Sequence, residues 1–195
     1  MDKKRKILLV AVMAIGLVTL VRTSAFFTRG TITDNVLTFG NARVTLLETT
    51  LDASGNEVEL SGEESFDITQ ASDMSRIVRL KNTGHRPVFA RISLKLESEK
   101  NDGTTAVIKN RASYQTNETD WVYEDGWYYY KKVLEPDITT EELMTKVIFD
   151  IDKITQEYPG EKLKLKIEAQ AVQSEYNHPE VLKAAGWPEE GEATK

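Results

Sequence analysis

Between residues 163 and 172 the chain reads Leu-Lys-Leu-Lys-Ile-Glu-Ala-Gln-Ala-Val, with apolar and polar side chains alternating at nearly every step. A period of two places alternate residues on opposite faces, so such a segment is a half-buried strand of an antiparallel sheet. Leu163, Leu165, Ile167, Ala169 and Ala171 are expected to face a core, and Lys164, Lys166, Glu168 and Gln170 to face water. Val88-Phe89-Ala90-Arg91-Ile92-Ser93-Leu94-Lys95-Leu96 repeats the pattern, with Ile92, Leu94 and Leu96 on one face and Phe89 out of phase.

Further strands are expected at Val36-Leu37-Thr38-Phe39, at residues 42–49 beyond Gly40-Asn41, at residues 77–80 before the turn signal Asn82-Thr83-Gly84, and at residues 147–151. Two aromatic runs, Trp121-Val122-Tyr123-Glu124 and Trp127-Tyr128-Tyr129-Tyr130, flank Asp125-Gly126. Asp-Gly accepts the positive φ angles of a type I′ turn, so this is a tight hairpin. Helical signals are few: Thr139 or Thr140 as cap of a turn through Leu143, and Asn177 as cap of residues 179–185. Residues 98–105 are polar and turn-rich, hence a loop. Many short strands and few short helices predict an all-β fold, an antiparallel two-sheet, jelly-roll-like sandwich. It is expected over residues 26–174, followed at 175–195 by a short helix and an acidic, disordered tail containing Trp187.

The beginning of the chain has a different character. Lys3-Lys4-Arg5-Lys6 precedes an apolar run at residues 7–21. As a helix that run is about 22 Å long, short of the roughly 30 Å of bilayer hydrocarbon. Thr23-Ser24-Ala25 then supplies small residues before Phe26. Basic, apolar, small is the layout of a signal peptide at residues 1–25, cut between Ala25 and Phe26 by a signal peptidase. The alternative is an uncleaved anchor held by its basic flank, the one route by which this chain would stay on a membrane. Cleavage removes five cations (Lys3, Lys4, Arg5, Lys6, Arg22) and one anion (Asp2), which takes the net charge from −6 to −10. So acidic a chain lacks the basic footprint a nucleic-acid partner needs, and it suits a soluble life in cation-rich or wall-associated surroundings.

Catalytic signals are missing. Without cysteine there is no disulfide framework, thiolate metal site or thiol nucleophile. His85 lies in a turn and His178 precedes Pro179, and neither belongs to a His-Glu-x-x-His pair. The simpler reading of both is a surface residue, and no metal or cofactor is assigned. Glu63, Glu64 and Asp67 form an acidic cluster without calcium-loop spacing. Asn117-Glu118-Thr119 is a formal glycosylation sequon. The chain therefore reads as a protein that is not an enzyme. Trp121, Tyr123, Trp127, Tyr128, Tyr129 and Tyr130 offer an aromatic surface for glycan stacking or self-association. The competing reading places half of them in the core as cross-strand pairs.

Several segments resemble the TasA/camelysin-type exported proteins of Gram-positive bacteria, which carry an alternate, SipW-type signal peptide. These are Thr23-Ser24-Ala25-Phe26-Phe27-Thr28, Asn35-Val36-Leu37-Thr38-Phe39-Gly40-Asn41-Ala42-Arg43-Val44, Val78-Arg79-Leu80-Lys81-Asn82-Thr83-Gly84, Gly126-Trp127-Tyr128-Tyr129-Tyr130 running to Pro136, and the alternating segment 163–173. The resemblance implies a jelly roll and a secreted structural subunit of a biofilm matrix or surface fibre. It also implies self-association by donor-strand complementation, with Phe26, Phe27, Ile32, Val36 and Leu37 as the donor strand. Arg29 and Gly30 make that donor less apolar than an ideal strand. The camelysin branch suggests a metallopeptidase, but no residue here matches a catalytic role. A monomeric cell-surface binding module is the other alternative.

Overall fold

The computed structural model describes residues 36–39, 42–60, 73–100, 102–158 and 161–188. Two antiparallel sheets face each other. The first is built from β1 (Val36–Phe39), β2 (Ala42–Leu51), β3 (Glu57–Glu59), β4 (Asp73–Asn82), β7 (Ala112–Thr116) and β10 (Met144–Phe149). Its order is β1-β2-β4-β10-β7, with β3 also on β2. The second contains β5 (Val88–Glu99), β6 (Thr105–Ile108), β8 (Trp121–Glu124), β9 (Trp127–Tyr130) and β11 (Lys162–Gln173), ordered β11-β5-β9-β8 with β6 on β5. Connections pass repeatedly from one sheet to the other, so the all-β sandwich is jelly-roll-like.

The two alternating segments form the longest pair. β5 and β11 are in unbroken register from Lys162↔Glu99 to Gln173↔Val88. Their inner face carries Ala90, Ile92 and Leu96 against Leu163, Ile167, Ala169 and Ala171. The first sheet meets it with Val44, Val78, Leu80, Met144, Val147 and Phe149. Burying side chains of this size stabilises by about 1.5–3 kcal/mol each, which is what holds the sheets together. On the outer face Lys164 pairs with Glu99, and Lys166 reaches Glu97 at 4.0 Å.

The Asn82-Thr83-Gly84 turn has a buried organiser. Asn82 Nδ2 donates to Arg86 O at 2.8 Å and Leu134 O at 2.9 Å, while Gly84 N donates to Asn82 Oδ1 at 2.9 Å. One amide thus satisfies three backbone groups where β4 hands over to β5.

Three local expectations are corrected. The strand expected to reach residue 151 stops at Phe149: Asp150 caps a helix, α1 (Ile151–Glu157), accepting from Lys153 N at 3.4 Å. Ile154 of α1 plugs the core. Thr140 does not cap a turn. Its Oγ1 accepts from Leu80 N at 3.0 Å and its N–H donates to Leu80 O at 2.8 Å, which stitches it to β4. Asn177 does not cap a helix at 179–185, where only a 3-10 turn, Val181–Lys183, forms. Instead its Oδ1 accepts from Ala185 N at 2.9 Å, closing a loop.

Asn82→Ala removes both side-chain donations from a buried site. It should lower unfolding stability by about 2 kcal/mol in urea titration.

Candidate functional site

The donor-strand expectation concerns the β1–β2 side of the first sheet. Val36 and Leu37 lie in β1, opposite Thr45 and Val44 of their own chain. Ala25, Phe26, Phe27 and Ile32 lie outside the described residues. β2 pairs with β4 from Val44 to Thr49. Thr45 also pairs with β1, and Thr49 with β3, so β1 and β3 share the opposite flank of β2. Between them, among the described residues, Leu46, Leu47 and Glu48 pair with neither β1 nor β3 and form a notch in that flank. Among the described residues, the one backbone bond there is from Leu60 N to Glu48 O, at 3.4 Å. β1 and β2 also lie beside β11, the edge of the second sheet.

The aromatic hairpin has the expected turn, with Asp125 at φ 48° and Gly126 at φ 86°. It pairs Glu124↔Trp127, Tyr123↔Tyr128, Val122↔Tyr129 and Trp121↔Tyr130. It does not make an aromatic surface. Trp121, Tyr128 and Tyr130 turn into the central core, and Trp127 and Tyr129 into a second apolar cluster. Tyr123 alone is exposed, at 61%, with its ring 4.8 Å from that of Tyr128. Strand alternation divides the rings between two faces, and both faces are covered.

At the rim below Trp121, the Tyr130 hydroxyl donates to the Glu141 carboxylate. Lys132 Nζ reaches Asp120 at 2.7 Å and Glu141 at 3.0 Å, and Asn117 Nδ2 donates to Asp120 at 3.1 Å. Burial, helped by Glu141, pushes the Tyr130 phenol up to about 12. Asp120 and then Glu141 raise Lys132 above the usual lysine range. Hydrogen bonds from Tyr130 and Lys132 lower Glu141. Each shift locks a group in its resting charge state, the reverse of tuning a general acid or base toward neutral pH. The cluster fastens the β9–β10 connection.

The second cluster was not foreseen. It lies on the outer face of the second sheet, where Phe89, Trp127, Tyr129 and Val172 are covered by Val181 and Ala184 from the chain after β11. At its centre is Arg91, 8% exposed. Its guanidinium lies 4.1 Å from the Trp127 ring centroid and 4.6 Å from that of Trp187. Arg91 Nε donates to Gln170 Oε1 at 2.9 Å and Nη2 to the same oxygen at 2.5 Å. Nη1 donates to Tyr129 Oη at 3.0 Å, and Nη2 also to Pro188 O at 3.2 Å. No salt bridge reaches it among the described residues. Gln170, expected to face water, is buried beneath this segment. The disordered-tail expectation is likewise corrected through Pro188, since Trp187 packs on Arg91 and Pro188 is buried. The available signal was an arginine inside an apolar strand together with a lone Trp-Pro in an acidic end.

His85 and His178 are both exposed, and His178 Nδ1 accepts from Glu180 N at 3.1 Å. Among the described residues no group of three His, Cys, Asp or Glu could hold a metal ion, and no helix is long and apolar enough to cross a membrane. Glu63, Glu64 and Asp67 lie outside them. Comparison with protein-family models, curated proteins and solved structures finds no match.

A phenol with a raised folded pKa binds its proton more tightly when folded, so its contribution is complete below the unfolded value near 10 and is lost as pH rises toward 12. Denaturation midpoints should therefore fall from pH 10 to 12, and Tyr130→Phe should flatten that fall. Burial holds Tyr114 up to about 12 as well, so part of the slope should persist.

Proposed function

We propose that this chain is an exported structural subunit of an extracellular matrix or surface fibre, processed at Ala25–Phe26 and joined to its neighbours through the segment before β1. The observation that supports the reading is the notch at residues 46–48 of β2, left between β1 and β3 among the described residues. A sheet edge with unpaired main chain is a template for an added strand. Such a strand gains backbone hydrogen bonds and pockets for alternate side chains.

Glu48 stands at the notch with its charge already taken by Arg76, so an incoming strand meets neutral backbone and Leu46 rather than a free carboxylate. The signal-peptide layout and the resemblance of several segments to TasA-type proteins support the same reading. Head-to-tail donation of this kind does not close on itself and builds filaments. The role is structural, not catalytic, and the partner is another copy of the chain. The reading as a monomeric binding module has lost its main support, because five of its six aromatic rings are turned inward or covered.

The chain beginning at Phe26 should run as oligomers on size exclusion and show filaments by electron microscopy. One beginning at Val36, which keeps every described strand, should run as a monomer. Oligomers of equal size from both would overturn donation by residues 26–35.

A further inference from the structure

The covering of the second sheet's outer face carries an inference separate from the N-terminal edge. We propose that residues 174–188 form an exchangeable strap, and that the face around Arg91 takes the same strap from a second copy of this chain. The seat belongs wholly to the sandwich: Phe89 and Arg91 on β5, Trp127 and Tyr129 on β9, Gln170 and Val172 on β11. The strap presents Val181, Ala184, Trp187 and the Pro188 carbonyl. Trp187 stacks over the Arg91 guanidinium opposite Trp127 and meets Tyr129 edge-on, with centroids 5.5 Å apart at 83°. None of these contacts requires seat and strap to share a chain.

The strap is also organised internally. Asn177 Oδ1 accepts from Ala185 N at 2.9 Å, its Nδ2 donates to Ala185 O at 3.1 Å, and Lys183 pairs with Glu180 at 2.9 Å. It can therefore leave and reseat as a unit.

The link to the body is where closure on the same chain is least comfortable. Asn177 Nδ2 donates to Gln173 O at 3.1 Å, Glu175 pairs with Arg86 at 3.1 Å, and Ser174 N donates to Pro87 O at 3.2 Å, which are the anchors to the end of β11 and the lead-in of β5. Two residues after Ser174, Tyr176 adopts φ 62°, a left-handed conformation unfavourable for a bulky side chain, and its ring is fully exposed. Closure also leaves Trp187 Nε1 and Ser93 Oγ, the latter on the same face as Arg91, buried with no hydrogen-bond partner among the described residues. Letting Tyr176 relax toward extended backbone would swing the strap outward, and short strained hinges of this kind favour exchange of an element between copies.

Complementary damage tests the proposal on full-length chains in mild detergent. One tagged chain carries Trp187→Ala, which spoils the strap, and a differently tagged chain carries Arg91→Leu, which spoils the seat. When the two are mixed, capture through one tag should recover several-fold more of the other than in a mixture of two Trp187→Ala chains or of two Arg91→Leu chains. Equal recovery in all three mixtures would overturn the proposal. Assembly through the N-terminus contributes alike to all three, so its success or failure leaves the ratio unchanged. If Arg91→Leu does not fold, Tyr176→Gly decides. Relieving the hinge should lower the strap-dependent association of otherwise unaltered chains several-fold, and unchanged association would contradict exchange.

Discussion

Where β5 meets β11, twelve residues on each strand pair without interruption, and both faces of the pair are put to use. The inner face is apolar from Ala90 to Leu96 and from Leu163 to Ala171 and fixes where the first sheet must lie. The outer face changes character along the strands. Near Glu97 and Glu99 it is a ladder of opposite charges open to water. Near Phe89, Arg91 and Val172 it is apolar around one cation and has to be covered. The chain after β11 does the covering, so the sandwich has a second, smaller core outside its main one. Arg91 is the residue on which that core turns. Among the described residues no carboxylate reaches this guanidinium, and taking it from water is costly. Here that cost is offset by two indole faces, each worth about 2 kcal/mol or more when desolvated, and by neutral oxygens from Gln170, Tyr129 and Pro188.

A sandwich leaves edges, and this one treats them unequally. On one side the sheets are joined by a short connection between β7 and β8, stitched by Asn117, which accepts from Thr119 N at 3.0 Å. On the other side, among the described residues, β1 and β3 cover only parts of β2. The proposals made above use different surfaces: the N-terminal segment with the β2 notch, and the C-terminal strap with the Arg91 seat. A subunit linked at both places would have one contact set by backbone pairing and another by side-chain stacking.

How much of this the sequence disclosed depended on the length of each signal. Ten alternating residues in β11 and nine in β5 have one interpretation, and Asp125-Gly126 between aromatic runs has one turn. Asn82-Thr83-Gly84 marked its turn correctly. β3 and β7 are short and polar, and β6 is a four-residue, mostly apolar run, so alternation does not stand out in any of them. The helix α1 was written in Ile151, Ile154 and Tyr158, spaced for one helical face, but its first residue was read as the end of the preceding strand. The Arg91 seat was the deepest miss. Period two shows that Gln170 points away from the main core, yet not that residues seventeen and eighteen positions later fold back over it. The aromatic hairpin failed as a surface for the same reason: alternation divides rings between faces without saying which faces are covered.

The central claim is that export and assembly share one event, the cut that frees the segment before β1. N-terminal sequencing of the material cells release, paired with electron microscopy of the same sample, tests it directly. The account predicts filaments whose subunits begin at Phe26. Chains that keep residues 1–25 and stay with the membrane, with no released filament, would contradict it.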